Sequence, residues 1–431
     1  MKPQFLIAAP SSGSGKTTIT QGILRYFRNK GFKIQPFKCG PDYLDTKHHA
    51  WAAGRTSINL DTFISSKEHV CEIYSKYSSE ADISIVEGVM GLFDGAKKMK
   101  GSSAEIAELL DIPVILVINA KATAYSVAPL LYGFKNFYPK INIAGVIFNF
   151  VNGESHYQFL KDACTDVGLK SLGYIAQNKD LHLPSRHLGL DISDSQNYEQ
   201  KIEFITTHIA ATVNMECLLK ITNVPFKESK QDLQIRKSNL KIAVAKDEAF
   251  NFTYHENLLA LEQLGEIIYF SPLNDSLLPE TDLLYLSGGY PELFLKQLSN
   301  NNAMKLAIFE YCSRGGKVLA ECGGMMYLSR NIIDKQSNKF PMVGFLSQDT
   351  SMENMKLSLG YRKVILNGEA LFGHEFHYSK IIEPQVDSCI GKIYSARDAE
   401  VDTLLFKKKN TIASYIHFYW GEKDILDYLF I

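Results

Sequence analysis

A short apolar run, Phe5-Leu6-Ile7-Ala8-Ala9, breaks into Pro10-Ser-Ser-Gly-Ser-Gly-Lys-Thr-Thr18 and then into a helical pattern. Buried strand, glycine-rich turn and helix N-terminus, in that order, leave few folds open. They fit the first βα unit of a parallel sheet whose turn wraps a phosphate group. Gly13 and Gly15 let backbone N–H groups approach phosphate oxygens, with Ser14 between them and Thr18 in the first helical turn. Lys16 would reach the β- and γ-phosphates, and the Thr17 hydroxyl would ligate magnesium. The loop departs from its consensus at the first glycine, which is Pro10 here. Position 11 is Ser, where ParA/MinD-like switch ATPases carry a signature lysine, which weighs against a P-loop switch or binding ATPase.

The sheet continues in the same style. β-branched runs at Ile34–Lys38, Asp82–Glu87, Pro113–Asn119, Ile143–Phe150 and Leu172–Ala176 alternate with helical patterns, as parallel strands with crossover helices require. Val114 to Ile118 is apolar on both faces and reads as a central strand. Between Pro225 and Asn239 the apolar runs stop and Lys227, Glu228, Lys230, Asp232, Arg236 and Lys237 accumulate. That composition suits an exposed connection. We therefore expect an ATP-binding P-loop domain over 1–225, a linker over 226–239 and a second α/β domain over 240–431. The second domain opens with strands at Lys241–Lys246, Gly265–Phe270, Leu283–Leu286 and Lys317–Glu321.

Balanced charge, with 46 basic and 47 acidic residues, gives nucleic acid no phosphate-backbone footprint to meet. No apolar run approaches the length needed to span a bilayer, and no membrane partner is expected. Seven cysteines without regular spacing read as reduced thiols of a cytoplasmic protein.

Ligands of an open parallel sheet gather beyond the carboxyl ends of its strands. Glu87, ending Ile83-Ser-Ile-Val-Glu87, is placed there as a magnesium ligand, and Gly88-Val-Met-Gly-Leu-Phe-Asp94-Gly95 follows it. Cys39-Gly-Pro-Asp42-Tyr-Leu-Asp45 follows Ile34–Lys38 and brings two more carboxylates to the same crevice. Lys38 either neutralises substrate or phosphate charge there or is a surface lysine.

In the second half, Gly316-Lys-Val-Leu-Ala-Glu-Cys322-Gly-Gly-Met-Met-Tyr-Leu328 reads as strand, sharp turn and helix with the cysteine at the turn. A nucleophile elbow has this form, since the following N–H groups and the helix dipole stabilise a thiolate and an oxyanion. Gly323 and the Gly288-Gly289 pair after Leu283–Leu286 are the expected oxyanion donors. Cys71 and Cys312 lie in helical patterns and read as core residues. His417, in Ser414-Tyr-Ile-His-Phe-Tyr-Trp-Gly421, is the expected base, with His374 and His377 as competitors for the role.

Together these segments resemble one family, the cobyrinic acid a,c-diamide synthases, whose relatives act on hydrogenobyrinic acid or nickel-sirohydrochlorin. Gly13–Thr18, Gly40–Asp45, Asn59-Leu-Asp61, Val86–Gly95, Leu183–Gly189, Asp247–Phe252, Ser287–Glu292, Ala320–Gly324 and Leu359–Arg362 carry the resemblance across nearly the whole chain. It implies a dethiobiotin synthetase-like ATP-binding domain joined to a class I glutamine amidotransferase-like domain. The implied activity is amidation of the a- and c-acetates of a corrinoid using ATP, Mg2+ and L-glutamine. The carboxylate would become an acyl phosphate, displaced by ammonia released at Cys322 and carried through an internal passage. By the same resemblance, Asp42 and Glu87 serve the metal, and Asp45 and Asp94 serve phosphate and substrate. Asn149 resembles the adenine-contacting asparagine of dethiobiotin synthetases. A homodimer is compatible with this reading. Cobyric acid synthase, which amidates other side chains, is disfavoured by the Gly40–Asp45 and Leu183–Gly189 segments. Triad amidotransferases place a glutamate two residues after the histidine, but Tyr419 stands there, so the third group of the site stays open.

Overall fold

A computed structural model describes residues 1–181, 195–229, 238–384 and 388–430. The chain divides into two compact units, Met1–Gln231 and Asp232–Ile431.

The strands of the first unit are Lys2–Ala8 (β1), Ile34–Cys39 (β2), Ile58–Leu60 (β3), Ile83–Glu87 (β4), Val114–Asn119 (β5), Ile143–Val151 (β6), Ser171–Ala176 (β7) and Asn223–Val224 (β8). They form one sheet in the order β3-β2-β4-β1-β5-β6-β7. All of these pairs are parallel, and β8 adds antiparallel to β1. The residues of β5 show why both faces are covered. Val114, Leu116 and Ile118 pack into a core with Val70, Ile73, Ala104 and Ile106. Ile115 and Val117 point the other way, into a core with Ile19, Ile23 and Phe27 of the helix Lys16–Asn29 (α1) and with Ile202, Ile205 and Ile209. The period of two along a strand divides its apolar residues between two helical layers, as expected for a central parallel strand.

The second unit begins with Leu240–Ala245 (β9), Gly265–Phe270 (β10), Leu283–Leu286 (β11) and Lys317–Glu321 (β12). Short strands follow at Asn331–Ile333 (β13), Lys339–Pro341 (β14) and Asp349–Ser351 (β15), then Ser358–Leu366 (β16), Glu369–His377 (β17), Lys380–Ile382 (β18) and Lys392–Ser395 (β19). Leu405–Lys408 (β20), Thr411–Ser414 (β21) and Ile416–Phe418 (β22) complete the series. The main sheet runs β10-β9-β11-β12-β21-β20, and two four-stranded sheets, β14-β13-β15-β18 and β19-β16-β17-β22, accompany it. Sequence reading anticipates the first four strands of this unit and neither of the smaller sheets. One face of the main sheet packs Ile242, Val244 and Leu319 against Val364, Leu371, Ile416 and Phe418 of the β19-β16-β17-β22 sheet. The other packs Ala243, Ala245 and Ala320 with Met325 and Met326.

Candidate functional site

In the first unit, the turn between β1 and α1 takes the form expected for anion binding. Gly13 and Gly15 adopt left-handed backbone angles, φ 77° and 89°. At Gly15 a Cβ would lie 2.1 Å from the Asn149 Nδ2, so only glycine fits. The Ser14 hydroxyl donates to the Ser11 carbonyl at 3.0 Å and tightens the loop. Lys16 Nζ crosses the mouth of the loop, donating to the carbonyls of Ser11 (3.3 Å) and Met90 (2.6 Å). Its ammonium thereby bridges the 10–15 turn and the loop after β4. That second loop is laced alongside by Gly88 N–H to Ile7 O and Leu92 N–H to Ala9 O. Thr18 is half-buried in the first turn of α1.

Glu87 lies fully buried at the end of β4, and both of its carboxylate oxygens are engaged. Oε1 accepts from the Thr17 hydroxyl at 2.7 Å and from Lys38 Nζ at 2.8 Å, and Oε2 contacts His49 Nε2 at 2.6 Å. Burial alone would raise its pKa, yet the adjoining Lys38 and His49 hold it well below the carboxylate range. Lys38 is also within 2.8 Å of Asp45 Oδ2. Burial would lower its pKa, and Asp45, Glu87 and Asp42 together raise it instead. At 2 % exposure Lys38 is no surface lysine, which overturns that branch of the sequence reading.

Asp42 accepts from the backbone N–H groups of Leu44 (3.0 Å) and Asp45 (2.8 Å), and so starts the helix Leu44–Ala53 (α2). That helix carries Asp45 to Lys38 and His49 to Glu87. The i,i+4 spacing of Asp45 and His49 puts both on one helical face and is the sequence signal by which His49 was readable but missed. Asp94 is exposed, accepting from Gly91 N–H at 2.9 Å. Asn149 is buried with both side-chain groups engaged by backbone: Nδ2 donates to Ser14 O at 3.0 Å and Oδ1 accepts from Phe150 N–H at 2.9 Å. In this arrangement it buttresses the phosphate-binding turn. Leu183–Gly189 lies outside the described residues.

Magnesium in nucleotide sites keeps few protein ligands, taking most of its shell from phosphate oxygens and water. The pair of a Thr17 hydroxyl and a Glu87 carboxylate, 2.7 Å apart beside the turn, fits such an ion. Among the described residues no cluster of three or more ligating side chains exists to form a closed protein cage.

Removing the charge of Glu87 should be costly, because a buried ion cluster that loses one member leaves an orphan charge behind. For Glu87→Gln we expect a loss of about 3–5 kcal/mol, read as faster hydrogen exchange of the β1 and β4 amides. The wild-type contribution has a sign fixed by the depressed pKa. It is fully present above the ordinary carboxylate range and is lost as pH falls through that range toward the lowered folded-state value.

In the second unit, Cys322 sits between β12 and the helix Gly323–Leu328 with φ 45° and ψ −103°. A non-glycine residue in this region stores strain of about 1–3 kcal/mol, and neighbours hold it in place. Cys322 N–H donates to Ser414 O at 2.7 Å, and its own carbonyl accepts from Met326 N–H at 3.0 Å. The two glycines that follow permit close approach. A Cβ on Gly323 would stand 3.0 Å from Gly289 N, and one on Gly324 only 2.2 Å from Leu286 O. Gly288, Gly289 and Gly323 are thereby drawn together beside the elbow. At Gly288 a Cβ would lie 2.1 Å from His417 Cε1, so the histidine ring rests on this glycine.

His417 is carried by β22, directly opposite His374 of β17, and the two rings stack with centroids 5.0 Å apart at 17°. Burial lowers the His417 pKa well below the usual value, and His374 and His377 add to this while Glu375 opposes it. His374 is pushed down to about 3, by burial and then by Arg362, and its Nδ1 is 2.9 Å from the Tyr254 hydroxyl. His377 contacts Glu375 Oε1 through Nε2 (2.7 Å) and Ser379 O through Nδ1 (2.7 Å), which ties both its ring nitrogens to this network. Burial pushes the Cys322 thiol up, and the charges of Glu292, Glu375 and Glu321 push it further. Burial thus disfavours the charged form of each group, the thiolate and the imidazolium. Gly288→Ala should drive His417 off its seat. Because an ångström of misplacement costs about 100-fold, we expect a loss of that order in glutamate release from glutamine.

The chain's similarities agree with this two-part layout. Residues 5–190 match the family model of the CobQ/CobB/MinD/ParA nucleotide binding domain, and residues 241–425 that of the CobB/CobQ-like glutamine amidotransferase domain. A protein of Caldanaerobacter subterraneus subsp. tengcongensis named cobyrinate a,c-diamide synthase is 40% identical, covering 96% of this chain and 94% of its own length. Proteins of the same name from Listeria innocua (39% identity, 98% and 97% covered) and Picrophilus torridus (40%, 96% and 95%) match as fully. With a phosphate-binding turn in one unit, a cysteine elbow in the other and full-length kinship at this level, the chain belongs to the cobyrinate a,c-diamide synthase family.

Proposed function

We propose that this protein uses ATP and L-glutamine to amidate the a- and c-acetate carboxylates of cobyrinic acid, a step of cobalamin biosynthesis. The observation that carries the reading is the presence, in one chain of this family, of a phosphate-binding turn with Thr17 on Glu87 and a strained cysteine elbow flanked by His417 and paired glycines.

A carboxylate is a poor electrophile, and ammonia is mostly protonated near neutral pH, so each reactant needs preparation. In the first unit, a substrate carboxylate oxygen attacks the γ-phosphorus of ATP, ADP departs, and an acyl phosphate forms. Gly13, Ser14, Gly15, Lys16 and Thr18 hold the phosphates, and Lys16 stabilises the charge developing on the transferred group. Magnesium, when bound, supplies neutralisation of phosphate charge, and Thr17, Glu87 and Asp42 are the residues proposed to hold it. Asp45 and Asp94 are proposed to orient substrate, and Asn149 to support the turn beneath the nucleotide. Ammonia then attacks the acyl carbon and expels phosphate.

In the second unit, His417 takes the Cys322 thiol proton as sulfur attacks the amide carbon of glutamine. Gly289 and Gly323 N–H groups, with the Gly288 turn, receive the developing oxyanion. The intermediate collapses with the proton delivered to nitrogen, releasing ammonia, and water hydrolyses the thioester to glutamate. Burial disfavours both thiolate and imidazolium, which favours moving the proton as sulfur attacks rather than beforehand.

Among the described residues no helix is long and apolar enough to cross a membrane. The test is to incubate the protein with ATP, magnesium and glutamine plus cobyrinic acid, hydrogenobyrinic acid or nickel-sirohydrochlorin, and to weigh the products. A cobyrinic acid diamide is expected. Glutamate release with no amidated tetrapyrrole would end the reading.

A further inference from the structure

Three carboxylates place their charge on the Cys322 thiol: Glu292, Glu375 and Glu321. Two are already committed. Glu375 accepts from Arg362 Nε at 2.6 Å and from the Thr403 hydroxyl at 2.7 Å, and it contacts His377 Nε2 at 2.7 Å. Glu321 accepts from the Tyr285 hydroxyl at 2.7 Å and from Phe418 N–H at 2.9 Å, and so ties β12 to β11 and β22. Both hold the scaffold.

Glu292 differs. It lies in the short turn Pro291–Leu293 that follows the Gly288-Gly289 pair. Pro291 Cδ comes within 2.8 Å of where a Gly323 Cβ would be, which sets Glu292 alongside the elbow. Among the described residues its carboxylate makes no salt bridge, and its one hydrogen bond is to its own backbone. Lys335 eases its charge from beyond ion-pair distance. Part of the residue stays open to solvent, but burial lifts its pKa to about 7. A half-buried carboxylate that makes no ion pair among the described residues, set by its turn beside the cysteine elbow, is placed to take a cation brought from outside.

We infer that Glu292 is the recognition group for the α-ammonium of glutamine. The inference rests on the reading of Cys322 as the glutamine-hydrolysing nucleophile. Glutamine carries its ammonium only a few bonds from the amide carbon that Cys322 attacks. A carboxylate beside the nucleophile can therefore pair with one end of the substrate while sulfur meets the other. Pairing also neutralises the nearest charge that opposes thiolate formation, so the substrate that needs the nucleophile eases its ionisation. Specificity follows in the same stroke, since an amide without the amino group leaves the carboxylate orphaned.

The test compares glutamine with 4-carbamoylbutanoate, the same amide without its amino group, by amide hydrolysis. Wild-type enzyme should favour glutamine in kcat/KM by about 10- to 100-fold, the range of one charge-assisted hydrogen bond. Glu292→Gln should raise the KM for glutamine by that factor with little change in kcat, and should erase the preference. Glu292→Asp should restore part of it. Equal use of both amides by the wild-type enzyme overturns the proposal without need of a variant. So does a Glu292→Gln enzyme that loses kcat while keeping its KM. If neither amide is hydrolysed by wild-type protein while ammonium still drives amidation, the reading of Cys322 fails first, and the two failures are told apart.

Discussion

Cys322→Ser should lower glutamine-driven amidation by about 1,000-fold or more while amidation driven by ammonium salts at alkaline pH persists. The asymmetry follows from the architecture. Cys322 belongs to the unit Asp232–Ile431, held by Ser414 O and by the helix Gly323–Leu328, whereas the proposed acyl phosphate forms in the other unit. Ammonia added to solution replaces only what the thiol would have released. Serine keeps the shape of the elbow but is a weaker nucleophile, so the strained backbone at φ 45° is retained. Product quantified by mass spectrometry with each nitrogen source checks it. Loss of both activities together would mean that the cysteine does not serve as a separate ammonia source.

Lys16→Ala should produce the complementary pattern, a loss of about 100- to 1,000-fold with glutamine and with ammonium alike. No nitrogen source can bypass a carboxylate that is never activated. Lys16 spans the turn and the post-β4 loop through Ser11 O and Met90 O, so its removal deletes the ammonium that joins them. Iodoacetamide labelling of Cys322 at the wild-type rate would show that the second unit is intact. Retention of ammonium-driven amidation above a tenth of wild type would contradict the assignment of this loop to catalysis.

How far the molecule could be read from its residues depended on whether the deciding interactions were local. Strands β1, β2, β4 to β7 and β9 to β12 came through because each is a short β-branched or apolar run bounded by turn residues, whereas β3 and β8, three and two residues long, carry too little pattern to be read. Nor did the β16–β17 hairpin come through. Arg362, His374, Glu375 and His377 interrupt it with groups that look solvent-facing, and their inward placement depends on partners that the fold supplies: Arg362 reaches across the hairpin to Glu375, His377 contacts Glu375, and His374 contacts Tyr254. The phosphate-binding turn and the elbow were legible from spacing, since both lie in one continuous segment. His49 and the inward placement of Lys38 were not, because the cluster draws on β2, α2 and β4 and exists only once the sheet order is known. Glu292 was missed for another reason: nothing local in Ser287–Glu292 marks the carboxylate beyond the glycine pair as lying beside the elbow.

The three-way contact of Glu87 with Thr17, Lys38 and His49 also bears on how such a chain can change over generations. Replacing any one of the ionisable members strands its neighbours in a dry interior, so a lineage crossing that step alone meets a poorly folded intermediate. Drift at positions 38, 45, 49 and 87 should therefore arrive as joint replacements or not at all, even where the surrounding apolar residues exchange freely.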